Sequence, residues 1–186
     1  MNAAHMYLGV TDVSISKQGM AELLKAKRHP EVKRVFVSPM FRVLQTANVL
    51  FPNAEKIVVD GLREMDFGDF EGRSGKDMES EPEYRRWIAG KGLGACPNGE
   101  SILEFCMRIV SAFDHVIEQA VGDEKVYIVA HGGTIMAAMS MFTGTIEDYY
   151  SFRVQNLRGY SAVLDERGWK TGHRFESYRE YSALDE

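Results

Sequence analysis

Between Ser16 and Lys27 the apolar residues Met20, Leu23 and Leu24 fall at helical spacing among lysines and glutamates, and the run Arg34-Val35-Phe36-Val37 that follows predicts a short buried strand. Met40 to Phe51 returns to the helical period through Val43, Leu44, Ala47, Leu50 and Phe51, with Ser38 and Pro39 as the expected cap and first-turn residues. Ile57-Val58-Val59 predicts a second strand. From Gly61 to Gly75 no period is sustained, and glycines alternate with charges as in a long ordered loop; a weaker helical pattern covers Glu81 to Ile88. After the glycine-rich turn from Gly90 to Gly99, an apolar stripe from Ile102 to Ile117 predicts a helix of about five turns, the strongest periodic signal in the chain, which must pack against a sheet. Lys125 to Ala130 reads as a strand buried on both faces, as in parallel sheets, and His131-Gly132-Gly133-Thr134 opens another helix to about Phe142. Ser161 to Leu164 and Trp169 to Phe175, joined by Asp165-Glu166-Arg167-Gly168, predict a C-terminal hairpin. The order of elements is that of an α/β protein with parallel strands.

Size and composition narrow the class. With 186 residues, no internal repeat and no linker, the chain is expected to form one domain over 1–186. A 45% hydrophobic and 26% charged composition excludes disorder and collagen-like structure. The net charge of −5 provides no general field for nucleic acid, although a local cationic pocket remains compatible with it. Cys96 and Cys106 are the only cysteines, too few for a disulfide scaffold or a four-ligand zinc site, and no stretch has the length of a membrane span or the layout of a leader peptide. A cytoplasmic location is expected, with no membrane and no nucleic-acid partner.

Three segments carry chemistry. His131-Gly132-Gly133-Thr134 ends a strand and begins a helix, which delivers an imidazole and free backbone N–H groups to the edge of a sheet where α/β folds bind anions. Ser38 to Ala47 has the same layout and puts Arg42 in the first turn of a helix after a strand, where guanidinium and helix dipole both face an anion. Leu62 to Gly72 is rich in carboxylates and aromatics; Glu64 within it is a candidate acid whose pKa an apolar setting would raise. Gly72-Arg73-Ser74-Gly75-Lys76-Asp77 lacks the glycine spacing, the hydroxyl after the lysine and the preceding strand of a nucleotide-binding loop. The five histidines show no ligand spacing, so no metal is expected.

Taken together with Pro97-Asn98-Gly99-Glu100-Ser101, these segments resemble, in order and over nearly the whole chain, the histidine phosphatase superfamily of phosphoglycerate mutase-like proteins. In layout the chain is most similar to α-ribazole phosphatases and broad-specificity phosphatases. The resemblance implies a three-layer α/β/α sandwich with a mostly parallel central sheet, and a small phosphate ester as substrate without cofactor or metal. It assigns phosphate or substrate contacts to Asn2, Gly9, Arg42 and the Gly132 amide, proton donation to Glu64, and stabilisation of the transferring phosphoryl group to His131. Arg85 and Arg86 are similar to an arginine pair with which family mutases hold substrate, and otherwise form a solvated helix face.

One departure stands out. The family's Arg-His-Gly, whose histidine is the nucleophile, is absent; His5 follows Asn2, and Arg28-His29-Pro30 lacks the glycine, so both histidines are expected at the surface. The expectation is that the first strand, with that motif, lies upstream of Met1. Three functions follow: a phosphomonoesterase whose nucleophile lies upstream, a phosphoglycerate mutase, or a phosphate-binding protein without turnover.

Overall fold

The computed structural model describes residues 6–184, so Asn2 and His5 lie outside the described residues. In chain order the elements are α1 (Lys17–Leu23), β1 (Arg34–Val37), α2 (Phe41–Leu50), β2 (Glu55–Val58), α3 (Gly75–Met78), α4 (Pro82–Ala89), α5 (Ile102–Gln119), β3 (Ile128–Val129), α6 (Gly132–Thr143), β4 (Arg158–Val163), α7 (Glu166–Gly172) and β5 (Ser177–Ser182). The strands β2-β1-β3 form a parallel sheet, with Phe36 level with both Ile57 and Ile128.

β1 is central because three consecutive apolar residues can be buried only where both faces are covered. Alternation along the strand sends Val35 and Val37 into one cluster with Val43, Ala47 and Leu50 of α2, while Phe36 joins Ala112 and Val116 of α5 on the opposite face. Helix, sheet and helix are therefore the three layers. α5 runs 18 residues because its apolar stripe is continuous and Ser101 and Glu104 close a reciprocal capping box at its start. α6 packs on α5 and extends the core through Phe105, Ile109, Ala137 and Phe142.

Several local expectations are corrected. α2 is not capped by Ser38 or Pro39: Met40 is the N-cap without a side-chain bond, and the Phe41 amide instead donates to Asp12 Oδ1 at 2.8 Å. β3 has two residues and is only half-buried, where a longer strand buried on both faces was expected. Its ladder can run only alongside the short β1, and among the described residues no strand pairs with its other edge. The C-terminal hairpin is also different. Asp165 caps α7 by accepting from the Gly168 amide at 2.9 Å, and the paired strands are β4 and β5 on either side of that helix. Burial decides this: Trp169 is 3% exposed and packs at a tilt with its ring centroid 4.6 Å from that of Phe142, with its indole N–H on Asp114 Oδ1. Among the described residues no helix is long and apolar enough to cross a membrane.

Candidate active site

The C-terminal ends of β1 and β3 lie side by side, so the residues leaving them converge. Ser38 follows β1, is fully buried, and its Oγ lies 2.8 Å from Nε2 of His131, the N-cap of α6. Burial, with the positive charges of Arg42 and Arg108, lowers the His131 pKa from 6.5 to about 3, so the ring is neutral around pH 7. Ser38 Oγ also lies 3.5 Å from the Met40 amide. The arrangement that satisfies all three groups has Oγ accepting from that amide and donating to Nε2, which leaves the ring proton on Nδ1.

Arg42, in the first turn of α2, does not extend into solvent. Its Nη1 donates to Thr11 O at 2.9 Å and Nη2 to Gly9 O at 2.9 Å. Nη2 also reaches Leu8 O at 3.4 Å, so this segment orients the planar fork through three carbonyls, while Nε and the remaining N–H donors stay available for an anion. Burial lowers its pKa, opposed by the carboxylates of Glu64, Asp12 and Glu71.

Glu64 follows a short 3-10 turn over Asp60–Leu62, where the loop passes beneath α6. Its Oε2 accepts from the Gly133 amide at 2.9 Å and Oε1 from the Met65 amide at 3.0 Å. The approach is close enough that a Cβ on Gly133 would overlap the carboxylate, so a side chain there would have to push the Glu64 carboxylate aside. Burial raises the Glu64 pKa, against the lowering effect of both amides and of Arg42 and Arg108. A carboxyl that keeps its proton at higher pH, set beside a neutral imidazole and a guanidinium, can donate to a leaving oxygen.

Arg108 fixes the acid loop. Its three nitrogens donate to Gly61 O, Arg63 O and Glu64 O at 2.9–3.1 Å and to both carboxylate oxygens of Glu100. Thr134 Oγ1 donates to Leu62 O from the α6 side. Arg108 was not among the expected site residues, yet a signal was present, because it is a charge on the side of α5 that carries Phe105 and Ala112 into the core. Nor was Ser38 expected as a partner of His131.

The other expected residues make the following contacts. Gly9 sits against the Met65 carbonyl, with no room for a Cβ, and its amide donates to Glu71, which leaves that N–H engaged within the protein. Gly132 is exposed at the start of α6, beside His131. Arg85 donates to Glu79 O at 2.8 Å, and Arg86 lies 3.9 Å from Glu83 on the exposed face of α4; neither has a bond to Arg42, Glu64 or His131 among the described residues. His29 is not at the surface as expected: its side chain is 13% exposed, stacked on Phe51 at 5.6 Å and 3.2 Å from the Tyr181 hydroxyl. Of the described histidines, only His131 adjoins Arg42 and Glu64. No group of three His, Cys, Asp or Glu among the described residues has the arrangement of a metal site.

The fold and these residues match a known family. The model of the histidine phosphatase superfamily, branch 1, matches residues 1–175, and the chain belongs to that superfamily. A candidate phosphoserine phosphatase of Hydrogenobacter thermophilus is 30% identical over 140 residues, 73% of this chain and 66% of that protein. The phosphoglycerate mutase of Schizosaccharomyces pombe is 25% identical over 162 residues, 79% of this chain and 76% of its own length. The α-ribazole phosphatase of Shigella flexneri shares the fold with a TM-score of 0.79 at 21% identity, covering 89% of this chain and 86% of that one. The chain spans about two thirds of the length of several curated relatives that it matches.

Proposed function

We propose that the site serves hydrolysis of a small phosphate monoester through a phosphohistidine. Arg42 and the Gly132 amide take the phosphoryl oxygens, His131 stabilises the charge that develops on them, and Glu64 protonates the leaving oxygen. The observation that carries this reading is the buried Glu64 carboxyl, its pKa raised, bonded at 2.9 Å to the amide two residues after His131. Phosphoryl transfer needs an aligned nucleophile, positive charge around the equatorial oxygens and a proton for the leaving group. The described residues supply the last two. By the family resemblance the nucleophile would be a histidine in an Arg-His-Gly segment that the described residues do not hold; the edge of β3 that pairs with no described strand offers a parallel neighbour for a strand carrying it, and Asn2 would follow it and contact the phosphate.

Arg85 is held by the Glu79 carbonyl at the end of α3 and Arg86 faces Glu83 within α4, away from Arg42 and His131, which favours hydrolysis over a mutase reaction. A second reading, phosphate binding without turnover, is favoured by His131 being the only described histidine beside Arg42 and Glu64.

The test compares two leaving groups in a chain extended at its N-terminus by a strand ending in Arg-His-Gly. A nitrophenolate departs without a proton and an alkoxide does not, so Glu64→Gln should lower kcat on alkyl phosphates by about 10²-fold or more and on p-nitrophenyl phosphate far less. Equal losses would remove Glu64 from the acid role. Strong hydrolysis by the 186-residue chain in EDTA would contradict the need for a further histidine, and an inactive extended chain that still binds phosphate would favour the second reading.

A further inference from the structure

The carboxylate of Glu71 is surrounded by backbone. Its Oε1 accepts from the amides of Gly9 at 2.9 Å, Val10 at 3.0 Å and Phe67 at 3.2 Å. Its Oε2 accepts from Gly9 N at 3.1 Å, Thr11 N at 3.3 Å and Thr11 Oγ1 at 2.7 Å. Three successive amides turned toward one carboxylate form a concave donor nest filled by the protein's own side chain. Backbone pairing aligns the strands of this contact, since Tyr7 and Glu71 form a bridge and the Gly72 amide donates to Tyr7 O.

The opposite side of the same peptide segment holds Arg42. The carbonyls of Gly9 and Thr11, whose own amides are bound by Glu71, are the acceptors of the two guanidinium bonds at 2.9 Å. We infer that Glu71 is a positioning residue for Arg42: it fixes residues 9–11 so that their carbonyls orient the guanidinium toward the anion. This deepens the reading of the site given above and rests on it.

Electrostatics and positioning predict opposite signs. Glu71 is an anion near an anion-binding arginine, and it contributes to the field at Arg42. Through field alone, removing its charge would strengthen phosphate binding. Through geometry, the loss releases residues 9–11 and with them the fork, so binding weakens. Glutamine does not restore the arrangement, because its amide N–H₂ would face the N–H donors that now meet an oxygen.

The experiment titrates the 186-residue protein with inorganic phosphate by calorimetry in wild type, Glu71→Gln, Arg42→Ala and the double variant, with hydrogen exchange followed at the amides of residues 9–11. The expected result is about tenfold weaker binding in Glu71→Gln, faster exchange at those amides, and no further loss when the change is added to Arg42→Ala. Unchanged or tighter binding would overturn the inference, as would an equal loss with or without Arg42. Wild-type protein that binds no phosphate would contradict the functional reading instead; unchanged exchange at residues 9–11 would then separately overturn the role of Glu71.

Discussion

Ser38 Oγ and His131 Nε2 lie 2.8 Å apart, which ties the end of β1 to the start of α6 through a fully buried hydroxyl and a neutral ring. Removing the hydroxyl leaves Nε2 without its partner, at a cost of about 1–3 kcal/mol for a buried polar group left unpaired. Ser38→Ala is therefore expected to lower stability by that amount in urea denaturation and to weaken phosphate binding. Stability and affinity both at wild-type level would separate Ser38 from the imidazole.

The low pKa of His131 fixes the sign of two pH effects. Its folded pKa of about 3 lies below the ordinary 6.5, so the unfolded chain takes up the proton first as the pH falls. The part of the stability that depends on His131 should thus be complete above pH 6.5 and decline toward pH 3, by at most about 1.4 kcal/mol per pH unit. Denaturation of wild type and His131→Gln across this window checks it, the variant having the flatter profile.

A bound anion acts on the ring in the other direction. It offsets the repulsion from Arg42 and Arg108 and raises the His131 pKa, so binding at a pH between about 3 and the raised value should draw in a proton. Sulfate, which has no titratable proton in this range, isolates the effect, and Glu64→Gln removes the other carboxyl that could contribute. Calorimetry of sulfate binding to Glu64→Gln in buffers of different ionisation enthalpy should report proton uptake. Release, or no exchange, would remove His131 from contact with the anion.

Gly133 is expected to accept a side chain only by displacing the Glu64 carboxylate. A Cβ there would displace the Glu64 carboxylate from the amide that holds it. Gly133→Ala should break this hydrogen bond, at a cost of about 1–3 kcal/mol, and, in a catalytically complete chain, should reproduce the leaving-group selectivity of Glu64→Gln. A stable variant with wild-type selectivity would show that the acid does not depend on this bond.

The residues that were legible in the sequence are those whose position follows from local order. Arg42 stands in the first turn of the helix that follows β1 and His131 two residues after β3, strands whose apolar runs are visible in the sequence, and Glu64 stands in a loop with no period. The rest depends on contacts between distant segments. Glu71 is one carboxylate among several in its loop, and only the return of residues 9–11 over it distinguishes it from Asp66 or Asp69. Arg108 is visible as a charge on an apolar face, but its carbonyl partners lie more than forty positions away. The C-terminal hairpin was misplaced because Trp169 and Phe175 alternate locally as a strand does, while burial of the indole against Phe142 commits residues 166–172 to a helix. β3 was overextended because its apolar run predicts burial, and burial requires a neighbour on each edge.

The central claim is that Arg42 and His131 meet a phosphate at the joined ends of β1 and β3. Titration of the folded 186-residue protein with phosphate, wild type against Arg42→Ala, tests it most directly. The expected result is saturable binding by wild type and a loss of about tenfold or more in Arg42→Ala, since a charge-assisted forked contact is removed. Equal affinities in the two proteins, both folded by circular dichroism, would contradict it and put the phosphate elsewhere.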